Sequence, residues 1–173
     1  MKKVLKTIFL ILIITNLVFS INAISVDEIN NGSENESVLF VSDDFDYEII
    51  KHKYPMEAEK DILVIKGFSD TGAEKFKTNK ILNIPEKVNF NGKSAQLEGI
   101  GPEAFSNKKI EGVVFPEFKK NIRFVIGRNA FSNNDINFVE FKNGIHTIVP
   151  EAFMHNKLEE VYFPETLWAT GNN

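Results

Sequence analysis

The chain has no cysteine among its 173 residues. That excludes disulfide staples, thiolate metal sites, a cysteine nucleophile and a lipid-modified cysteine. Histidine is scarce as well: His52, His146 and His155, with no pair at the i, i+4 spacing that puts two metal ligands on one helix face. There is no nucleophile elbow, phosphate loop or separate carboxylate pair, so neither an enzyme nor a cofactor is expected. Twenty basic residues against 24 acidic ones give a net charge of −4, too acidic for a nucleic-acid binder. Beyond the first stretch, no apolar run approaches the roughly 20 residues that cross a bilayer. What the sequence does have is phenylalanine: 16, against three tyrosines and one tryptophan.

Residues 1–23 read as a signal peptide. Lys2, Lys3 and Lys6 form a positive start, and Ile8 to Phe19 form a short apolar run. Cleavage is expected after Ala23, with Ser20 as the alternative; an uncleaved signal anchor is the competing reading. Cleavage removes three lysines and no acid, so −4 becomes −7. Such a chain is expected to be secreted or at the surface of a bacterial cell. It is poorly suited to anionic lipid, and its partner is a protein or a glycan.

Residues 24–44 are polar and read as a linker. Asp43, Asp44, Asp46 and Glu48 invite a calcium reading. The calcium loop, however, needs a glycine at its turn and a closing glutamate, and both are missing. Phe45, Tyr47 and Ile49 alternate with Asp46 and Glu48 as in a half-buried strand, and Ile62 to Phe68 supplies a second. Residues 45–69 are therefore expected to form an N-terminal β-hairpin that caps the rest of the chain.

From residue 70 to 173 the chain repeats itself. Segments starting at Ile100, Ile126 and Ile148 align over eighteen positions, with Ala-Phe pairs at Ala104–Phe105, Ala130–Phe131 and Ala152–Phe153. A degenerate copy from Thr71 keeps Phe76 and a Leu82-x-Ile84-Pro85 ending. Val113-x-Phe115, Val139-x-Phe141 and Val161-x-Phe163 read as short strands. Ile100, Ile126 and Ile148 return to the core before a short helical turn. Pro102 and Pro150 suit the first position of that turn, Glu103 and Glu151 its positive end, and Lys108, Lys109 and Lys157 its negative end. The Ala-Phe pairs face inward, making the phenylalanines a core ladder. A unit this small cannot close its own core, so the copies must stack into an α+β repeat solenoid. Insertions follow Pro85, where Asn91-Gly92 signals a hairpin, and Pro116; both should emerge on one side. Phe163 to Leu167 loosely matches a wall-anchoring signal, but in repeat register it is a strand end.

The string FSDTGAEKFKTNKILNIPEKVNFNGKSAQLEGIGPEAF, with the AFxxNxxL/I…V-x-F-P units after it, resembles the BspA-like leucine-rich repeats of bacterial cell-surface proteins. The likeness spans about residues 45–173. Lys142 departs from it at a strand-ending proline and Val149 at a glycine. The resemblance implies a curved right-handed solenoid outside the cell that binds host or community macromolecules, its framework constant and its ligand-facing positions variable.

Strand alternation picks those facing positions: Asn83, Val114, Glu140 and Tyr162, flanked by Gly112, Phe138 and Glu160. They read either as a binding face, with aromatic groups among acids, or as cross-strand pairs that only steady the sheet. Thr170 to Asn173 align with the start of another copy, which reads as a truncated last repeat and predicts self-association through an uncapped end. The expected function is extracellular binding through the sheet face, as an adhesin. The alternatives are an accessory remnant of a larger surface protein, with no ligand of its own, and a targeting module for an enzyme.

Overall fold

The computed structural model describes residues 39–54, 57–119 and 121–170. The signal-peptide reading falls outside the described residues, as does most of the linker. A 3-10 turn at Ser42–Asp44 leads into β1 (Phe45–Lys53), which pairs antiparallel with β2 (Glu59–Phe68) from Phe45↔Phe68 to Lys53↔Glu59. The expected hairpin is there, but its alternation is imperfect. Ile49 is exposed, because β1 is an edge strand with a bulge between Asp46 and Tyr47. The acids expected in this stretch serve local structure. Buried Asp44 accepts the Val41 N–H at 2.7 Å and pairs with Lys75.

Helix α1 (Asp70–Phe76) comes next, capped by the Ser69 hydroxyl, which accepts the Gly72 N–H at 3.2 Å. From there the repeats give short strands to two sheets. β3 (Ile81–Asn83), β7 (Gly112–Val114) and β9 (Phe138–Glu140) form an all-parallel three-stranded sheet. β6 (Gly99–Ile100), β8 (Phe124–Ile126), β10 (Ile145–Ile148) and β11 (Ala169–Thr170) extend β2 in parallel, in the order β1-β2-β6-β8-β10-β11. The strands ending at Ile100, Ile126 and Ile148 were not expected; the sequence signals only their burial. Between β3 and β6 lies the hairpin of β4 (Lys87–Phe90) and β5 (Lys93–Gln96), whose turn residues Asn91 and Gly92 both have positive φ, 52° and 75°. This insertion and the one after Pro116 sit at the same corner, where the chain leaves the three-stranded sheet for the larger one.

The main core lies between the two sheets, and its phenylalanines form two ladders. One runs Phe105–Phe131–Phe153, with successive ring centroids 5.4 and 5.1 Å apart and planes within 18°. The other runs Phe115–Phe141–Phe163, at 5.4 and 5.7 Å. Phe163 thus holds the repeat register. The third expected strand, Val161-x-Phe163, does not form. Its Val161 is half-buried and Phe163 exposed, where Val113 and Phe115 are fully buried, so it lacks the packing that fixes a strand.

The helical turns expected after Ile100, Ile126 and Ile148 are a second correction. Glu103, Asn129 and Glu151 have φ of 57°, 54° and 66°, and Asn107, Asn133 and His155 repeat the left-handed geometry at 59°, 54° and 58°. No helix tolerates this, so the dipole roles expected of the flanking prolines, glutamates and lysines do not apply. The physical reason is where the amides go. Glu103, Phe105 and Asn107 donate to Arg128, Ala130 and Ser132 of the next copy at 2.8–3.1 Å, while Ala104 and Ser106 bond back within their own turn. Amides spent on a neighbour cannot also close i→i−4 bonds. His155 fills the same left-handed slot as Asn107 and Asn133, as its alignment indicates.

One residue further on, Asn134 and Asn156 bind the turns together. The buried Asn134 amide donates to the Phe105 and Phe131 carbonyls at 2.8 Å and accepts the Lys108 and Ile110 N–H groups at 2.8 and 3.2 Å. Asn156 repeats the arrangement one copy later, donating to Phe131 and Phe153 and accepting from Ile136. Each asparagine therefore clamps its own turn to the one before.

Candidate functional site

The three-stranded sheet has one inner face and one bare face. Leu82 and Val113 point inward and are fully buried, and half-buried Val139 is registered beside Val113. The alternate positions form two outward rows across the strands. One row is Asn83–Val114–Glu140, with Asn83 and Val114 half-buried and Glu140 exposed. The other is Ile81–Gly112–Phe138. Glu160 and Tyr162 continue the two rows by repeat position, but on an unpaired segment beyond β9. Four of the six picked positions, Asn83, Val114, Phe138 and Glu140, thus lie in rows that the register draws together, and Tyr162 stands furthest out, 76% exposed.

Sequence alternation alone misses what lies beside Phe138. A side-chain carbon on Gly112 would fall 2.2 Å from the Phe138 ring, so the phenyl lies across the space that glycine leaves open. Ile81, 40% exposed, occupies the same row on the next strand. The result is an apolar strip from Ile81 to Phe138. Its neighbouring acids are already engaged. Glu140 pairs with Lys142, and Glu160 accepts the Tyr162 hydroxyl at 2.8 Å, which raises the tyrosine pKa above its ordinary value. The strip is therefore bordered by acids that already have partners.

Among the described residues no cluster of three or more histidine, aspartate or glutamate side chains could hold a metal ion. Nor, among them, is any helix long and apolar enough to cross a membrane.

The parallel stacking, the Ala-Phe turns and the asparagine clamps together describe one repeating unit. Residues 98–173 match the family described as BspA type leucine rich repeat region, six copies. These residues are BspA-type leucine-rich repeats. No curated protein matches the chain. Among solved structures, a leucine-rich repeat protein from Bacteroides capillosus is similar, at 18% identity and a TM-score of 0.44, over 80% of this chain and all of that one. BspA-type repeats are often carried by surface proteins, and leucine-rich repeats generally serve as protein-interaction modules rather than enzymes.

Proposed function

We propose that this protein is an exported binding protein whose leucine-rich repeats stack as a solenoid and present the bare face of the three-stranded sheet to an extracellular protein partner, as an adhesin does. The observation that carries this reading is the apolar strip Ile81–Gly112–Phe138, with exposed Tyr162 on the segment beyond β9. Exposed aromatic groups held in fixed positions and rimmed by polar residues are what protein contacts draw their binding energy from. Asn83, Glu140 and Glu160 supply the polar rim, and Val114 extends the apolar surface. Export rests on the signal-like residues 1–23, and the acidic charge left after their removal suits a soluble partner rather than anionic lipid.

The experiment is capture of purified protein on immobilised extracellular-matrix and serum proteins, beside the double variant Phe138→Ser/Tyr162→Ser. Both side chains are exposed, so the variant should melt as the parent does. Specific capture that disappears in a folded double variant supports the reading. Equal capture by both proteins removes the site from this face. Capture by neither favours the accessory remnant.

A further inference from the structure

A second surface feature lies on the other side of the molecule, on the face of the six-stranded sheet turned away from the main core. There Tyr54 closes over a separate small cluster of Ile62, Val64 and Val125. Its hydroxyl donates to the Arg123 carbonyl at 2.7 Å, and burial pushes its pKa up to about 12. His146 sits at the bulge between Ile145 and Thr147, where β10 carries one residue more than β8. A bulge re-aims a side chain, and here the imidazole meets the Tyr54 ring edge-on at 5.6 Å. Trp168, just ahead of β11, donates its backbone N–H to the His146 carbonyl at 2.9 Å, and its ring stacks on the imidazole at 5.9 Å, 13° from parallel. These side chains, with the Arg123–Glu57 ion pair, line an open recess of about 200 Å³.

Three observations narrow what could enter. The only tryptophan of the chain is 61% exposed although its backbone and one ring neighbour hold it in place, so an apolar plane is offered to solvent. Tyr54 already carries the Arg123 guanidinium at 5.5 Å and the Lys60 ammonium at 5.3 Å, so of the two rings only the indole is left to a ligand. Arg123 is paired with Glu57 and Lys60 with Glu98, so an anion meets no free cation among these groups. A neutral ligand one ring in size fits these groups, with an apolar face for the indole and hydroxyls for a carboxylate acceptor and a guanidinium donor.

We propose that this recess is a carbohydrate subsite that seats one neutral pyranose ring. The C–H face of the sugar stacks on Trp168. Adjacent hydroxyls donate to Glu57 and accept from Arg123, charge-assisted bonds of the kind that fix orientation. The site is independent of the sheet-face reading, since it uses different residues on a different sheet, and either can fail without the other.

Because the chain has a single tryptophan, the site carries its own reporter. The fluorescence of the full-length protein is titrated with the methyl glycosides of glucose, galactose, mannose and N-acetylglucosamine, and with choline and inorganic phosphate as charged probes. A saturable change with at least one glycoside is expected. Glu57→Gln should weaken it by about tenfold, the cost of losing one charged hydrogen-bond acceptor, with an unchanged melt. No saturable change with any glycoside, a saturable change only with choline or phosphate, or an equal response from Glu57→Gln would overturn the proposal. If Glu57→Gln does not fold, Trp168→Ala, read by calorimetry with the responding glycoside, takes its place: retained affinity overturns the site and lost affinity supports it.

Discussion

Residues 71–84 and 100–114 carry the same repeat, yet the first folds its phenylalanine-bearing turn as helix α1 and the second as a turn whose amides reach the next copy. They differ at many positions, and one of these is the inward slot before the phenylalanine. Lys75 stands where the later copies have Ala104, Ala130 and Ala152, all buried. An ammonium cannot take that inward slot, and Lys75 instead turns to Asp44, which is almost wholly buried at the edge of the stack. With the slot unfilled, the amides close on themselves as a helix. The copies whose amides reach a neighbour carry a small buried side chain at this slot, and the copy at the edge carries a lysine there.

The largest effect expected from breaking this pattern is at the middle of the ring ladder. Phe131 is buried between Phe105 and Phe153, so Phe131→Ala should cost about 3–5 kcal/mol by urea melt. Phe163→Ala, on an exposed ring of the second ladder, should cost about 1 kcal/mol or less. Asn134→Ala comes next. It strips partners from the Lys108 and Ile110 amides and should cost about 2–4 kcal/mol, whereas Asn79→Ala, at the same repeat position in the helical copy, should cost about 1 kcal/mol. Equal losses at the two asparagines would contradict the claim that the first copy is bonded differently. Lys75→Ala should destabilise by about 1–3 kcal/mol, because it leaves Asp44 buried without its cation, and Lys75→Ala/Asp44→Asn should recover part of that loss.

The smallest effect separates the two sheet faces by pH. Burial holds both His52 and His146 below the ordinary imidazole value of 6.5, helped by Lys60 for the first and Arg123 for the second. The folded state therefore prefers the neutral rings. Their contribution to stability is intact above about pH 6.5 and falls as the pH drops below it, where the unfolded chain takes up protons first. Urea midpoints at about pH 7.5 and about pH 5 should differ less for His146→Gln than for the parent. Phe138→Ser, on the other sheet, should leave the pH dependence unchanged.

Most of the fold was legible because it repeats. The recurrence of Ala-Phe and Val-x-Phe fixes which rings stack, Asn91-Gly92 marks its own turn, and alternation sorts Leu82 and Val113 from Asn83 and Val114. The six-stranded sheet was not legible at Gly99–Ile100 or Phe124–Ile126, where strands of two or three residues are too short to show alternation. The helical reading of the turns failed for a different reason. Proline, glutamate and lysine at those spacings favour a helix locally, but hydrogen bonds to the next copy outweigh that preference. Arg123 and Trp168 each stand just before a strand of the larger sheet, and His146 at the bulge of the strand between them, at spacings of 23 and 22 residues. That spacing was visible, but three unlike side chains do not announce a row, and the hairpin that brings Tyr54 over them is read only from the register. At Gly112 a missing side chain, rather than a present one, shapes the candidate binding strip.

Whether the bare face of the three-stranded sheet binds a protein partner is decided by comparing three affinities. One captured matrix or serum protein is measured against the parent, Phe138→Ser and Trp168→Ser, by surface immobilisation with melts run alongside. Binding through that face requires a loss of about tenfold or more for Phe138→Ser, the size expected when an exposed aromatic contact is truncated, and none for Trp168→Ser. Unchanged affinity in folded Phe138→Ser, with the loss at Trp168→Ser instead, would refute the sheet-face site and move the interface to the six-stranded sheet.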